Sequence, residues 1–336
     1  MSDIDPGQAQ GAPMEGVEAF TFGDAVSVLD RSDFLSMLEV TPMGRWYHPP
    51  ISMAGLASAR LMSAHHASAI ALKRNLLTRT FKPNRYLSRA DFARIVIDFL
   101  GTGNAYVERV DNLAGRAATL RPSPSIHTRR GVEPGTFFFL KPGVDDHEFR
   151  KDSVFHLIEP DLVQEIYGIP EWYSALQSGL LNEAATLFRR RYYLNGSHAG
   201  YILYVSEEGF SEKDSAALRE QLKQAKGPGN FRNLFLHIPK GREKGVQVIP
   251  VADAAAKDEF LGIKNCTRDD LLAAHRVPPQ LLGVVPQNSA GFGSITEAAK
   301  VFFDHEIVPL QMKLMEINDW LGGVQAIAFD PYVPAV

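Results

Sequence analysis

The chain has 336 residues, 45% hydrophobic and 22% charged, enough for one large domain or two to three smaller ones with a sizeable core. Thirty-five Lys and Arg against thirty-nine Asp and Glu give a net charge of -4, the wrong sign for gripping duplex DNA by neutralising its phosphates. No apolar run nears the roughly 20 residues of a membrane helix, and the first residues lack the basic and apolar regions of a signal peptide. The single cysteine, Cys266, excludes an intrachain disulfide and a CxxC metal site and is expected to be a small buried apolar side chain. Folding in a reducing cytoplasm, without a membrane partner, is the expectation.

Residues 1–19 carry Gly, Pro and Gln with little apolar content and read as a disordered arm, with structure beginning at Phe20. Gly55–Leu77 and Ser88–Leu100 show helical spacing of apolar residues. After Gly101 and Gly103 the pattern shifts to short β-type runs at Ala105–Val110, Phe137–Leu140 and Ser153–Ile158, so the stretch to Pro170 reads as one α+β domain. A long helix follows, with Ser174 and Gln177 at capping-box spacing, and stops at Asn195-Gly196. Next comes a β-α-β-β insertion: strand Tyr201–Val205, helix Ser211–Ala225, and strands Asn233–Ile238 and Val246–Val251. A second long helix spans Ala254–Arg276, with Gly262 as a candidate break and Pro278-Pro279 as its stop. Leu281–Gly293 lacks apolar periodicity. Ser294 and Glu297 then open a helix reaching Trp320, kinked at Pro309, and a short strand is expected over Val324–Phe329.

The chain offers no catalytic, cofactor or metal constellation, and an enzymatic role is not expected. Gly101-Thr102-Gly103 lacks the third glycine of a dinucleotide loop, because Tyr106 stands there, and it follows a helix. No strand precedes Ser197, so it sits on no nucleophile elbow. His65 and His66 are adjacent and diverge by about 100° on a helix, poor geometry for one metal. His305-Glu306 lacks the second histidine of a zincin helix, and no Walker-type phosphate loop exists.

Two basic clusters stand out. Seven basic residues between Lys73 and Arg94, against Asp91 alone, could touch nucleic acid, form a solvated face or meet a neighbouring subunit. Arg189, Arg190 and Arg191 lie in the last turns of their helix, where helix-end electrostatics, subunit salt bridges and DNA contact are all open readings. Residues 251–320 hold six basic and ten acidic residues, 6 - 10 = -4, a balance that repels phosphate.

The order of parts resembles the portal proteins of tailed bacteriophages, in particular the PBSX-type branch of temperate contractile-tailed phages. The resemblance runs from Phe20 to Gly322 and is carried by Gly44-Arg45-Trp46-Tyr47, Gly103-Asn104-Ala105-Tyr106, Phe155-His156-Leu157 with Glu159-Pro160-Asp161, and Gln164-Glu165-Ile166-Tyr167-Gly168. It continues through residues 187–200, residues 226–235, and Ala273-Ala274-His275-Arg276-Val277-Pro278-Pro279-Gln280-Leu281. The resemblance implies an α+β portal fold with a wing over 20–170, a stem helix over 171–199, a clip over 200–251 and a second stem helix over 252–277. A tunnel-loop region over 278–294, a kinked tunnel helix over 295–321 and a terminal strand or tail over 322–336 would complete it, with little or no crown.

It further implies a dodecameric ring at one capsid vertex through which double-stranded DNA is packaged and ejected. The implied partners are the terminase large subunit, a head-completion or connector protein, and the major capsid and scaffolding proteins. The implied location is the virion, with the host cytoplasm during assembly. The residues facing DNA would be Gln287, Asn288, Ser289, Gly291, Phe292 and Gly293. Small side chains and two glycines let such a loop yield as duplex passes, and Phe292 would pack against the adjacent loop or brush the DNA. The bland reading is an ordinary helix connection. A phage hydrolase or nuclease is the alternative from another class, and a head-tail adaptor a second one.

Overall fold

Serine caps set the helical start of the body. The computed structural model describes residues 42–162, 164–194, 201–205, 246–250, 256–284 and 294–333. The expected arm over 1–19, the start at Phe20, the Asn195-Gly196 stop, the helix Ser211–Ala225, the strand Asn233–Ile238 and the loop residues Gln287–Gly293 lie outside them. After a two-stranded hairpin, β1 (Pro42–Met43) and β2 (Trp46–Tyr47), the stretch expected as one helix over Gly55–Leu77 is two. Helix α1, Met53–Ala59, is capped by Ser52, whose Oγ accepts from the Gly55 N–H at 3.1 Å; α2, Ala64–Thr80, is capped by Ser63, whose Oγ accepts from the His65 N–H at 3.3 Å. A serine hydroxyl takes a donor that a continuing helix would use, so Ser63 begins a new helix where the apolar period alone runs on. Helix α3, Arg89–Thr102, is capped by Ser88 and closes on Gly103, left-handed at φ +71°.

Strand β3 (Asn104–Asp111) lies between β4 (Ala117–Ser123) and a later strand, β8 (Val154–Ile158), in an antiparallel sheet. The expected strand runs match β3, β8 and β6 (Phe137–Phe139), which sits between β5 (Thr128–Arg130) and β7 (His147–Glu148) in a second sheet. β4 was not expected, since Pro122 breaks its pattern; as an edge strand it loses no ladder bond that the sheet needs. Helices α2 and α3 and the sheet of β3 enclose the main core around Leu77, Phe81, Phe92, Val96, Val107 and Leu157.

Three of the sequence blocks meet at one buried amide. Asn104 donates from Nδ2 to the Gly168 carbonyl at 2.9 Å and accepts at Oδ1 from the Gly168 N–H at 2.8 Å, pairing with that backbone as a strand would. His156 Nε2 lies 2.9 Å from the same Oδ1, and its ring stacks on Tyr106 at 4.2 Å. The approach requires glycine: a Cβ on Gly168 would fall 2.2 Å from the Gly103 oxygen.

A 3-10 turn, Glu171–Ala175, leads into α4, Leu176–Leu194. The expected capping box is not formed, because Ser174 Oγ donates to the Glu171 carbonyl at 3.2 Å inside that tighter turn. Helix α4 packs antiparallel to α5, Ala256–Ala274, through Ser178 Oγ donating to Asp270 at 2.8 Å and Asn182 Nδ2 donating to Thr267 Oγ1 at 2.7 Å. No break occurs at Gly262, since a lone glycine costs only about 1 kcal/mol in a helix held by packing. Cys266 is exposed, contrary to expectation, because neighbouring Thr267 takes the buried face of α5. Between these helices the structure pairs β9 (Tyr201–Val205) antiparallel with β10 (Val246–Pro250).

Near Pro309, where a kink is expected, the helix after Ser294 changes its winding one turn before the proline and continues. α6, Ile295–Phe302, passes through a π-helical turn, Phe303–Ile307, into α7, Val308–Trp320. The Val308 N–H reaches back five residues to the Phe303 carbonyl, a wide turn that makes room for a proline ring otherwise crowding the preceding turn. The terminal strand expected over Val324–Phe329 is absent. The chain is extended there, held by Asn318, which accepts at Oδ1 from the Ala326 and Ile327 N–H groups and donates to the Ile327 carbonyl; the single bridge joins Phe81 to Phe329.

Gly168→Ala should destabilise the body by about 1–3 kcal/mol, as overpacking against backbone does, and thermal denaturation of the purified chain checks this.

Candidate functional site at the junction of the paired helices and the kinked helix

Three stretches of chain meet at one carboxylate, and a fourth joins through its cations. Glu306, buried in the π-helical turn, accepts from Lys73 Nζ of α2 at 2.6 Å and from Arg276 Nε at 2.5 Å, with Arg276 Nη2 at 3.2 Å from its other oxygen. Arg276 also pairs with Glu171, which heads the turn before α4 and lies 3.9 Å from Lys73. Lys73 is 2% exposed and Glu306 5%, so neither ion could be held there unpaired. Burial pushes the Glu306 carboxyl up, but the Arg276 and Lys73 cations outweigh it and hold the group below the usual carboxylate range. The hydrogen bond to Glu306, together with that to Glu171, raises Arg276 well above its ordinary value.

Arg276 adopts φ +54°, a left-handed conformation that costs about 1–2 kcal/mol for a residue with a side chain. Its N–H bonds the Ala273 carbonyl and the Val277 N–H bonds the Leu272 carbonyl, the pattern that ends a helix where glycine ordinarily stands.

Beside this cluster lies a histidine pair. His275 Nε2 is 2.8 Å from His66 Nδ1, and the His66 ring meets Trp172 edge-on at 4.6 Å. Burial, with the Arg60 charge adding to it, lowers His66 to about 4; burial, then His66, Lys73 and Arg276, lower His275 to about 2. Both are neutral at pH 7. The adjoining pocket, lined by Lys73, Glu159, Glu171, Trp172 and His275, has about 20 Å³ of water-sized space, too little for a ligand larger than water. Among the described residues no group of three or more His, Cys, Asp or Glu could hold a metal, and no helix is long and apolar enough to cross a membrane.

A family model described as "Phage portal protein" matches residues 53–333. The chain belongs to the phage portal protein family. A relative named "Probable portal protein" from Escherichia phage P2 is 48% identical over 316 residues, 94% of this chain and 92% of that protein. The fold is that of solved portals. An HK97-family phage portal protein from Corynebacterium diphtheriae superposes with a TM-score of 0.56 at 15% identity, covering 87% of this chain and 100% of that one. A chain from the neck of a native gene transfer agent particle, computed with C12 symmetry, gives 0.58 at 18% identity over 94% and 88%. Family membership decides against the hydrolase or nuclease alternative.

In this portal chain the residues singled out from sequence fall in three places. Gln287, Asn288, Ser289, Gly291, Phe292 and Gly293 lie outside the described residues, between α5 and α6. Arg189 and Arg190 are exposed near the end of α4, and Arg189 helps to lower the Lys264 ammonium across the helix pair, after burial; the Arg191 side chain is not among those described. The basic stretch from Lys73 to Arg94 is largely satisfied within the chain. Lys73 is the buried ion, Lys82 pairs with Asp330, Arg89 donates to the Thr78 and Arg79 carbonyls at the end of α2, and Arg94 pairs with Asp91.

Lys73, expected within a basic stretch open to solvent, nucleic acid or a subunit, is instead buried, and the sequence did not single out its partners Glu171 and Glu306 or the His66–His275 pair. The available signal was a charge at a core position: Lys73 falls between Ala69, Ile70 and Leu77, and Glu306 between Phe302 and Leu310.

The histidines make stability fall with acid. Their folded-state values lie below the unfolded 6.5, so the unfolded chain binds protons first, and stability is complete above pH 6.5 and lost as pH falls towards 4. Asp98, pushed up to about 6 by burial although the Ser125 hydrogen bonds oppose it, contributes with the opposite sign. Thermal denaturation at pH 7 and pH 5 should show the wild type losing on the order of 2 kcal/mol more than His66→Gln, and the Asp98 contribution cancels in that difference.

Proposed function

We propose that copies of this chain form a ring at the portal vertex of a tailed phage, through which duplex DNA is packaged and later ejected. In this reading residues 20–170 are the wing, α4 and α5 the stem, residues 200–251 the clip that receives the terminase and then the connector protein, and residues 278–294 the tunnel-loop region facing the DNA. Capsid and scaffolding proteins surround the ring, which assembles in the host cytoplasm. The observation that carries the reading is the antiparallel α4–α5 pair, which has the β9–β10 ladder inserted at one end and the π-turn of the helix after Ser294 joined to it by Arg276 at the other, in a chain of the portal family.

Two further features support it. The residues between α5 and α6 that would face DNA carry no charge from Leu281 to Ile295, and the helices around them are acidic on balance, which disfavours adhesion of phosphate. Ile295, Val301 and Met312 on the kinked helix leave large apolar side chains in water on a single chain, surface of the kind that a neighbouring copy covers.

Electron microscopy of the purified protein is expected to show rings, and a population of monomers and dimers alone under assembly conditions would count heavily against the reading. Met312→Glu should reduce ring formation at least tenfold while leaving the melting temperature of the separate chain unchanged, because the side chain is 63% exposed. Gly291→Val with Gly293→Val should leave rings intact and impair filling of heads with DNA; unchanged filling contradicts the assignment of that loop.

A further inference from the structure

The helix that follows residues 285–293 is poorly held by apolar contact. α6 buries only Phe302 and leaves Ile295 and Val301 exposed; it is held by the 3-10 turn Pro279–Leu282, whose leucines pack on the core around Phe302, and by the π-helical turn behind it, where Phe303, Glu306 and Ile307 turn inward. Buried residues recur there every four positions, Phe302, Glu306, Leu310 and Leu314, a wider spacing than the roughly 3.6 residues of an α-helical turn. The wide turn takes up part of the drift and brings a carboxylate, rather than an apolar side chain, to face α2 and the end of α5.

The helix that precedes the same segment ends on Arg276, in a backbone conformation suited to glycine, and there its guanidinium reaches both Glu306 and Glu171. A glycine would end α5 without strain and would lose both ion pairs.

We propose that Glu306 is a positioning residue of the DNA channel. By holding Lys73 of the body and Arg276 at the end of the preceding helix on one carboxylate, it fixes the root of α6 against the end of α5. The inference rests on the ring-channel reading for its function but not for its geometry. An ion cluster that served stability alone would be replaceable by a neutral set of similar shape; a positioning cluster would not.

The test uses the full chain in two variants. Glu306→Gln leaves Lys73 buried with Glu171 alone and should lower the melting temperature. Lys73→Met with Glu306→Gln removes one cation and one anion together, restores charge balance and should recover most of that loss. Hydrogen–deuterium exchange is then read over residues 295–302, with α3 as internal reference.

The expected result is that the double variant melts near the wild type, exchanges at least tenfold faster in α6 with α3 unchanged, and yields at least tenfold fewer DNA-filled heads. Wild-type protection of α6 in the double variant, or wild-type filling, overturns the proposal. Failure of the wild type to form rings would strike the ring-channel reading instead, and the exchange result on the single chain still decides this one.

Discussion

An ammonium group that is 2% exposed survives in a folded chain only if an anion meets it inside, and Lys73 meets Glu306. Because the same carboxylate also receives Arg276, and Arg276 in turn reaches Glu171, the pairing joins four separate stretches of chain at one point. The two buried charges, Lys73 and Glu306, depend on each other, while Arg276 and Glu171 stand at the exposed side of the cluster. The joint therefore specifies an arrangement more strongly than it adds stability, since desolvation takes back most of what each pair gains. It adds a charged contact to the apolar core through which Leu77, Phe92, Leu272, Phe302 and Ile307 already bring these elements together.

The body solves a similar problem without charge. Where the end of α3 meets the chain entering α4, two backbones approach too closely for side chains, and Gly103 and Gly168 permit the contact while the Asn104 amide completes the hydrogen bonds of Gly168. His156 lends a third partner and is held neutral by burial, its ring value well below the usual one. A neutral amide suits a place where both sides are main chain. An ion cluster suits the other junction, where helices meet side-on and long side chains can span the gap.

Much of this was legible in the residues. Helix α3, the strands β3 and β8, the α4–α5 pair and the Ser294 cap follow from apolar spacing and capping residues, which act within a few positions of one another. The break at Ser63 was missed because the apolar period runs straight through it. The edge strand β4 was missed because Pro122 reads as a stop unless its place in the sheet is known. The terminal segment shows the reverse error: Val324–Phe329 has the composition of a strand, but Asn318 satisfies its backbone in place of a neighbouring ladder. The charged junction was the least legible, because its partners lie up to 233 residues apart and no local pattern links Lys73 to Glu306.

The β9–β10 ladder closes the insertion at its own base, with Tyr201 opposite Pro250 and Val205 opposite Val246. The two ends of the excursion thus leave and return side by side, and the forty residues from 206 to 245 begin and end at a fixed spacing whatever their length. Such a segment is a cassette. Residues gained or lost within it leave the strand pairing at its base, and so the frame of α4 and α5, as they are.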